Sequence, residues 1–401
     1  RRCPMRKLLH LMLISLGISI IASCDPIPPL HLHEGEDIDM KMPIVILDID
    51  VMWHYDLSYM FEFNCDSFYD WRKEWRYGWD PQDSLLFGPI GYTQPEAFHI
   101  RKYYQGNEPG VQGHKQVSGD YFRGYSYRSK FNFGYYDLLL WNEIITHDGD
   151  VETVVFDEET TLDSTVVLTN PTRFTTRYNE PQRLYSYNQP DELFSVEDKD
   201  FYISRNPADY DDYDPETNTY FKSLNDTLFP VVYIYLTQVI MHHNKGRVVG
   251  TDGNANLSNM AFSATLNSGR AGKDIVTVHY NTRFKQGVEL EDRNEYVDII
   301  GGRLTTFGIR EINPFMYRNP LEIPKDIRRQ RHYMDINFVF GNGNDTTIVF
   351  DVTDQVLRRY RGGVITIELD MDTIQTPGRT GGWGFDAIVQ DFEEEEHVIE
   401  M

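Results

Sequence analysis

Apolar and polar residues alternate strictly in seven stretches of this chain. In "KMPIVILDIDVMW", Val45, Leu47, Ile49, Val51 and Trp53 share one face, and Asp48 and Asp50 occupy the other. A period of two is the mark of a half-buried strand. The same period recurs in "SKFNFGYYDLLLWN", "VETVVFDE", "FPVVYIYLTQVIMHH", "KDIVTVHYNTRF", "RHYMDINFVFGNG" and "GGVITIELDMDT". In the last of these, Ile365, Ile367, Leu369 and Met371 face one way and Glu368, Asp370 and Asp372 the other. Many alternating strands with turn residues between them predict an all-β protein of antiparallel β-sandwiches. Phe131, Phe133 and Tyr135 read as one core-facing set.

Helical period is scarce, so short helical insertions are all the pattern allows. Trp71, Trp75 and Trp79 stand four apart within Phe68–Trp79, and Thr353 to Tyr360 reads as one or two amphipathic turns. The tryptophans have two readings. With Arg72 and Arg76 beside them they form a stacking platform for a sugar or a partner chain, or they pack a short helix onto a sheet.

The first residues follow a different rule. Arg6 and Lys7 precede an apolar run from Leu8 to Ala22, which ends in Ile21, Ala22, Ser23 and Cys24 and meets Asp25, Pro26, Pro28 and Pro29. The run is shorter than the roughly 20 apolar residues of a bilayer span, and the prolines cannot prolong a helix. It reads as a secretory signal that starts at Met5, is cleaved, and leaves an exported protein. The order Ile21-Ala22-Ser23-Cys24 resembles a bacterial lipobox, in which the cysteine becomes the lipidated first mature residue. Residues 1–23 are then the signal peptide and 24–37 a proline-rich lipidated tether to the bilayer.

Charge and cysteine content narrow the function classes. The formal net charge is -24, and it becomes -28 when Arg1, Arg2, Arg6 and Lys7 leave with the leader. Such a field repels phosphate backbones, so nucleic acid is not an expected partner. Two basic runs, Arg328-Arg329-Gln330-Arg331 and Arg358-Arg359-Tyr360-Arg361, are too small to reverse this. Cys3 lies in the leader and Cys24 carries lipid, which leaves Cys65 without an intrachain disulfide partner. The mature length of 378 residues predicts two domains, 38–215 and 216–382, with residues 383–401 as a C-terminal strand or acidic arm. The boundary is placed in the acidic, turn-rich "RNPADYDDYDPETNTY", and a second sheet is expected to start near Phe229.

No phosphate loop, dinucleotide fingerprint, zinc-protease motif or nucleophile elbow occurs, so no enzyme, catalytic residue or cofactor is expected. The carboxylate pairs Asp48 with Asp50 and Glu368 with Asp370 sit on polar strand faces, where solvated charge is the ordinary outcome. His31, His33 and Glu34 lie in the tether with nothing to fix a metal geometry. Asp209, Asp211, Asp212 and Asp214 lack the glycine and distal glutamate of a calcium loop and read as a solvated linker. No metal site is expected.

The lipobox, the tether and two all-β domains in this order resemble the fimbrillin-like lipoproteins of Bacteroidales, close to a domain-of-unknown-function family within that set. "FGYYDLLLWNE" (Phe133 to Glu143) is similar to the glycine-x-tyrosine strand of fimbrial anchor and stalk proteins. "PVVYIYLTQV" resembles the strand that opens their C-terminal domain, and "NANLSNMAFSATLNSG" their "LSGM" segment, with Asn259 in place of the glycine. The resemblance implies transthyretin-like sandwiches that assemble by strand exchange, as in β-augmentation. It implies an anchor or accessory fimbrial subunit at the outer membrane and cell surface, acting in pilus assembly and adhesion. The tail would be the donor, through Trp383, Phe385, Ile388, Phe392 and Val398, although its run of four glutamates is unlike an apolar donor strand. The alternative is a surface glycan-binding lipoprotein of a nutrient-uptake system.

Overall fold

The computed structural model describes residues 44–53, 74–109, 118–144, 154–157, 165–172, 186–216, 218–290, 292–313, 316 and 320–374, and these lie in one compact unit, residues 43–401. Cys24 and its lipobox, the tether, Cys65, Trp71 and the donor segment Trp383 to Val398 lie outside the described residues.

The all-β expectation is borne out, and each of the seven alternating stretches contributes a strand. The N-terminal half of the fold gives β1 (Ile44–Trp53), β2 (Ala97–Gly106), β3 (Ser118–Arg123), β4 (Ser126–Phe131), β5 (Gly134–Asn142), β6 (Val154–Asp157), β7 (Val166–Thr169), β8 (Phe194–Ile203), β9 (Asp212–Asp214) and β10 (Thr219–Pro230). All but β6 and β7 build an eight-stranded sheet in the order β3-β2-β5-β8-β10-β1-β4, with β9 added to β10. Strand β10 is the corner: Thr219 to Leu228 pair with β1, and Phe229 and Pro230 pair with Ser195 and Phe194 of β8. The sheet thus closes as a sandwich. Strands β4 and β5 are far apart in its order, yet Phe131 and Tyr136 meet edge-on at 5.2 Å. Phe98, Ile100, Leu138 and Leu140 fill the same core.

The C-terminal half gives β11 (Tyr233–His242), β12 (Val248–Gly250), β13 (Asn254–Ala261), β14 (Ser263–Thr265), β15 (Ile275–Leu290), β16 (Glu295–Thr306), β17 (Tyr333–Phe340), β18 (Asp345–Asp351) and β19 (Gly363–Asp370). Apart from β14 they form a second eight-stranded sheet in the order β12-β17-β13-β15-β16-β11-β19, with β18 on β17. Here β15 makes the corner, since Ile275 to Asn281 pair with β13 and Thr282 to Leu290 with β16. Val276, Val278, Ile299, Ile300, Ile336, Phe338, Ile365 and Ile367 are all buried in one apolar cluster that also holds the core of the first sandwich.

Three features join the two halves. The change from the first sheet to the second falls at Val231 and Val232, between β10 and β11, while residues 215–216 form the turn of the β9–β10 hairpin within the first sheet. A small sheet, β14-β7-β6, takes one strand from the C-terminal half and two from the N-terminal half. Tyr103, Leu139, Trp141 and Val167 meet Ala261, Ala264, Leu266 and Phe307 there. The third feature is a strap, residues 74–80, that runs into helix α1 (Pro81–Phe87) against β15 and β16.

Gln238, fully buried on β11, fastens the strap. Its Oε1 accepts the N–H groups of Arg76 (2.8 Å) and Tyr77 (3.2 Å), and its Nε2 donates to the Glu74 carbonyl (2.7 Å) and to Thr366 Oγ1 (2.9 Å). Tyr77 lies on Gly301, where a Cβ would come within 2.4 Å of its ring. The helix expected through Trp79 is absent at 75–80: Gly78 takes φ +74, and a new helix starts at Pro81 behind the Asp80 cap. Two further helices are short, α2 (Lys325–Arg328) and α3 (Thr353–Arg358). The latter bears out the amphipathic turn read there.

Candidate functional site

Strand β1 precedes every other described element in the chain, yet it sits inside the first sheet. It pairs in parallel with β10 from Ile44↔Thr219 to Trp53↔Leu228 and antiparallel with β4 from Val45↔Phe131 to Asp50↔Ser126. Removal of a strand with neighbours on both sides opens two rows of backbone donors and acceptors at once. Next to this seam, on β10, the Asp226 carboxyl is pushed up to about 6 by burial and by Asp198 of β8. Its Oδ2 has no hydrogen-bond partner among the described residues.

The second sheet ends at β19, which pairs in parallel with β11. Its outer edge is met by a side chain rather than a strand: Gln355 of α3 donates Nε2–H to the Thr366 carbonyl (2.8 Å) and accepts the Thr366 N–H on Oε1 (2.9 Å).

Between the two sandwiches lies a cleft of about 570 Å³. One wall is the end of α1 from Ser84 to Pro89, the other the loop from Asn188 to Glu192, and the floor is His279, Tyr280, Asn281, Arg303 and Thr305. The deepest feature is an ion pair, Arg303 to Glu192 Oε1 at 2.5 Å, with side chains 3% and 0% exposed. Glu192 Oε2 also accepts the Thr93 N–H (2.6 Å). Arg303 Nε has no hydrogen-bond partner among the described residues. Burial lowers the His279 imidazole below its ordinary value. At the other end of α1, Asp83 is fully buried and meets Lys285 (2.5 Å), Arg283 (2.7 Å) and the Tyr77 hydroxyl (2.9 Å). Burial opposes its ionisation, but the Lys285 and Arg283 charges win and hold its carboxyl low.

The far end of β11 and β19 is rich in charge. His242 lies between Glu295 (3.0 Å) and Glu368 (3.2 Å), and Arg293 also bonds Glu368 (2.9 Å). His243, Asp370 and Asp372 bring potential ligand atoms within 4.8 Å of one another. The chain's own cations already occupy them: His243 meets Asp370 at 3.0 Å, and Lys245 and Arg247 meet Asp372 at 2.7 and 3.4 Å. Glu368 and Asp370 are therefore engaged in ion pairs rather than poised as an acid and a base.

The residues singled out from the sequence are redistributed. Trp75 is buried and donates its indole N–H to the Gly78 carbonyl (2.9 Å); Trp79 is half-buried, 6.3 Å from Trp75 and 5.6 Å from Phe87. Both serve packing of the strap. Asp209 to Asp214 are not a bare linker: β9 forms a hairpin with β10, Asp211 accepts the Ser223 N–H (2.8 Å) and Asp214 that of Glu216 (2.9 Å). Phe131 is core, but Tyr135 lies on the next strand and stacks at 4.5 Å on Tyr202, which is 42% exposed; Tyr136 is buried instead. The side chains of Asp48 and Asp50 lie outside the described residues. Asn259 has φ +61 at a break in the β13–β15 register, the left-handed region that suits glycine and that asparagine tolerates.

The fold and the seam define a double β-sandwich whose first described strand is held between two others. No family model and no curated protein matches the chain. Among solved structures it is similar to a candidate adhesin from Bacteroides ovatus, at 14% identity and a TM-score of 0.47, covering 86% of this chain and 97% of that one. A candidate adhesin from Bacteroides thetaiotaomicron shares 8% identity at a TM-score of 0.42, covering 82% and 93%. The fimbrial anchor protein Mfa2 from Porphyromonas gingivalis shares 10% at 0.39, covering 81% and 90%.

Proposed function

We propose that this chain is a surface-anchored, non-enzymatic fimbrial anchor or accessory subunit, lipidated at Cys24, that joins neighbouring subunits by strand complementation. The observation that carries the reading is the position of β1 between β10 and β4. Ten parallel and six antiparallel partners tie it to strands more than seventy residues away in sequence. Loss of such a strand exposes an acceptor groove, and a strand from another chain restores the ladder with backbone hydrogen bonds. The lipobox order Ile21-Ala22-Ser23-Cys24 supports the anchor.

The test is a gel of unboiled and boiled native membranes probed for this protein. A high-mass ladder that collapses only on boiling is expected from kinetically trapped strand exchange. A monomer band in both lanes sinks the reading and leaves a solitary surface glycan-binding protein. Cys24→Ala is expected to release the mature chain from membranes, and unchanged retention counts against the lipid anchor.

A further inference from the structure

The cleft between the two sandwiches has the size of a ligand site, since such sites span roughly 300–1,000 Å³, and its walls come from four segments distant in sequence. Its chemistry is uneven. The floor and one side present hydrogen-bonding groups: Arg303, Asn281, Gln189 and Asn188. The lip is apolar, with Leu86 43% exposed beside Leu85 and Pro89. Isolated surface leucines need no explanation, but these stand at the mouth of a polar cleft.

The charges decide the class of ligand. Arg303 is already matched by Glu192 at 2.5 Å, and Asp191 adds a second acid to the lining. Burial lowers the His279 imidazole below its ordinary value, which disfavours its charged form. An anion would meet two carboxylates, with the one guanidinium of the lining already matched by Glu192, and an apolar ligand would strip water from the Asn188, Gln189 and Asn281 amides without replacing its hydrogen bonds. A neutral molecule with adjacent hydroxyls and an apolar C–H face suits both surfaces. The amides of Asn188 and Asn281, both only half-buried, can supply those hydrogen bonds from the lining.

We propose that this cleft binds a short neutral oligosaccharide, with ring hydroxyls on Asn188 and Asn281 and the C–H face of a sugar against Leu86 and Pro89. The site is separate from the β1 seam, so it stands whether or not subunits exchange strands. It is also separate from the tryptophans that the sequence offered as a platform.

Calorimetric titration of the purified full chain tests it, using trisaccharides of glucose, mannose, galactose and N-acetylglucosamine, and a galacturonic acid trisaccharide as the anionic control. At least one neutral trisaccharide is expected to bind and the acidic one not to. Leu86→Glu, which puts a charge where the C–H face of the sugar would lie, and Asn281→Ala are each expected to weaken binding tenfold or more while the melting temperature holds. Absence of binding by every neutral probe overturns the proposal. So does equal binding of the acidic probe, or binding that survives either variant.

Discussion

The side-chain amide of Gln355 pairs with both backbone groups of Thr366, donating to its carbonyl at 2.8 Å and accepting its N–H at 2.9 Å. A carboxamide has the shape and polarity of a peptide group, so one glutamine stands in for one residue of a missing strand. It covers an edge that would otherwise template pairing with another chain. Gln355→Ala is expected to cost about 1–2 kcal/mol of stability, the scale of two modest hydrogen bonds. It should also produce a concentration-dependent dimer in sedimentation velocity. A variant that loses stability but stays monomeric would leave the amide a structural role only.

Arg303 and Glu192 form a charged pair with almost no exposure. Removing one partner of such a pair leaves the other buried and uncompensated, at a cost of about 3–5 kcal/mol. Arg303→Met and Glu192→Gln should each show that loss in urea unfolding. The double variant should lose clearly less than the sum, because no lone charge remains. Simple additivity would mean that the two side chains do not depend on each other.

Asp226 has its pKa raised from 3.8 to about 6 by burial, with Asp198 adding to the shift. A carboxyl raised in the folded state contributes stability that is full below pH 3.8 and is lost as pH climbs through 6. Asp226→Asn is therefore expected to stabilise the protein at pH 8 by about 1–2 kcal/mol, discounted for partial exposure. The gain should vanish below pH 4. Equal effects of the substitution at pH 4 and pH 8 would rule out this carboxyl as the source.

His332 is fully buried, and burial lowers its pKa from 6.5 to about 4; the Arg310 charge works the same way, and the contact with the Ser258 carbonyl and the Asp351 charge oppose it. A base held neutral in the fold contributes stability that is complete above pH 6.5 and fades as pH falls from 6.5 to about 4. The fall amounts to about 3 kcal/mol at most. His332→Asn should flatten this limb of the stability-pH curve, whatever it costs at neutral pH. An unchanged slope between pH 6.5 and 4 would assign the acid sensitivity to other groups.

The strands were legible because alternation is a local property. "GGVITIELDMDT" predicts the inward Ile365, Ile367 and Leu369 and the outward Glu368 and Asp370 of β19. What alternation cannot supply is the neighbour. Nothing in "KMPIVILDIDVMW" says that it pairs in parallel with a strand starting at Thr219. The tryptophan spacing misled for a similar reason: four-residue spacing fits a helix, but Gly78 and Pro81 break it and turn Trp75 and Trp79 toward the core. The sequence "DPQDSLLF" did hold the signal for α1, an aspartate cap followed by proline and a second aspartate three residues on. The cleft had no local signal, since its lining is drawn from residues 84–89, 188–192, 279–281 and 303–305.

The parallel pairing of β1 and β10 has a mechanical consequence. In register from Ile44↔Thr219 to Trp53↔Leu228, the ladder puts the incoming end of β1 and the outgoing end of β10 at opposite extremes. Strand β10 leads directly through Val231 and Val232 into the second sandwich. Tension between the segment before Ile44 and that sandwich therefore acts along the strands, in shear. All the rungs carry the load together, where an antiparallel hairpin pulled at its open end would unzip rung by rung. A chain held at its N-terminal side and pulled from the rest of its body meets that force at its strongest seam.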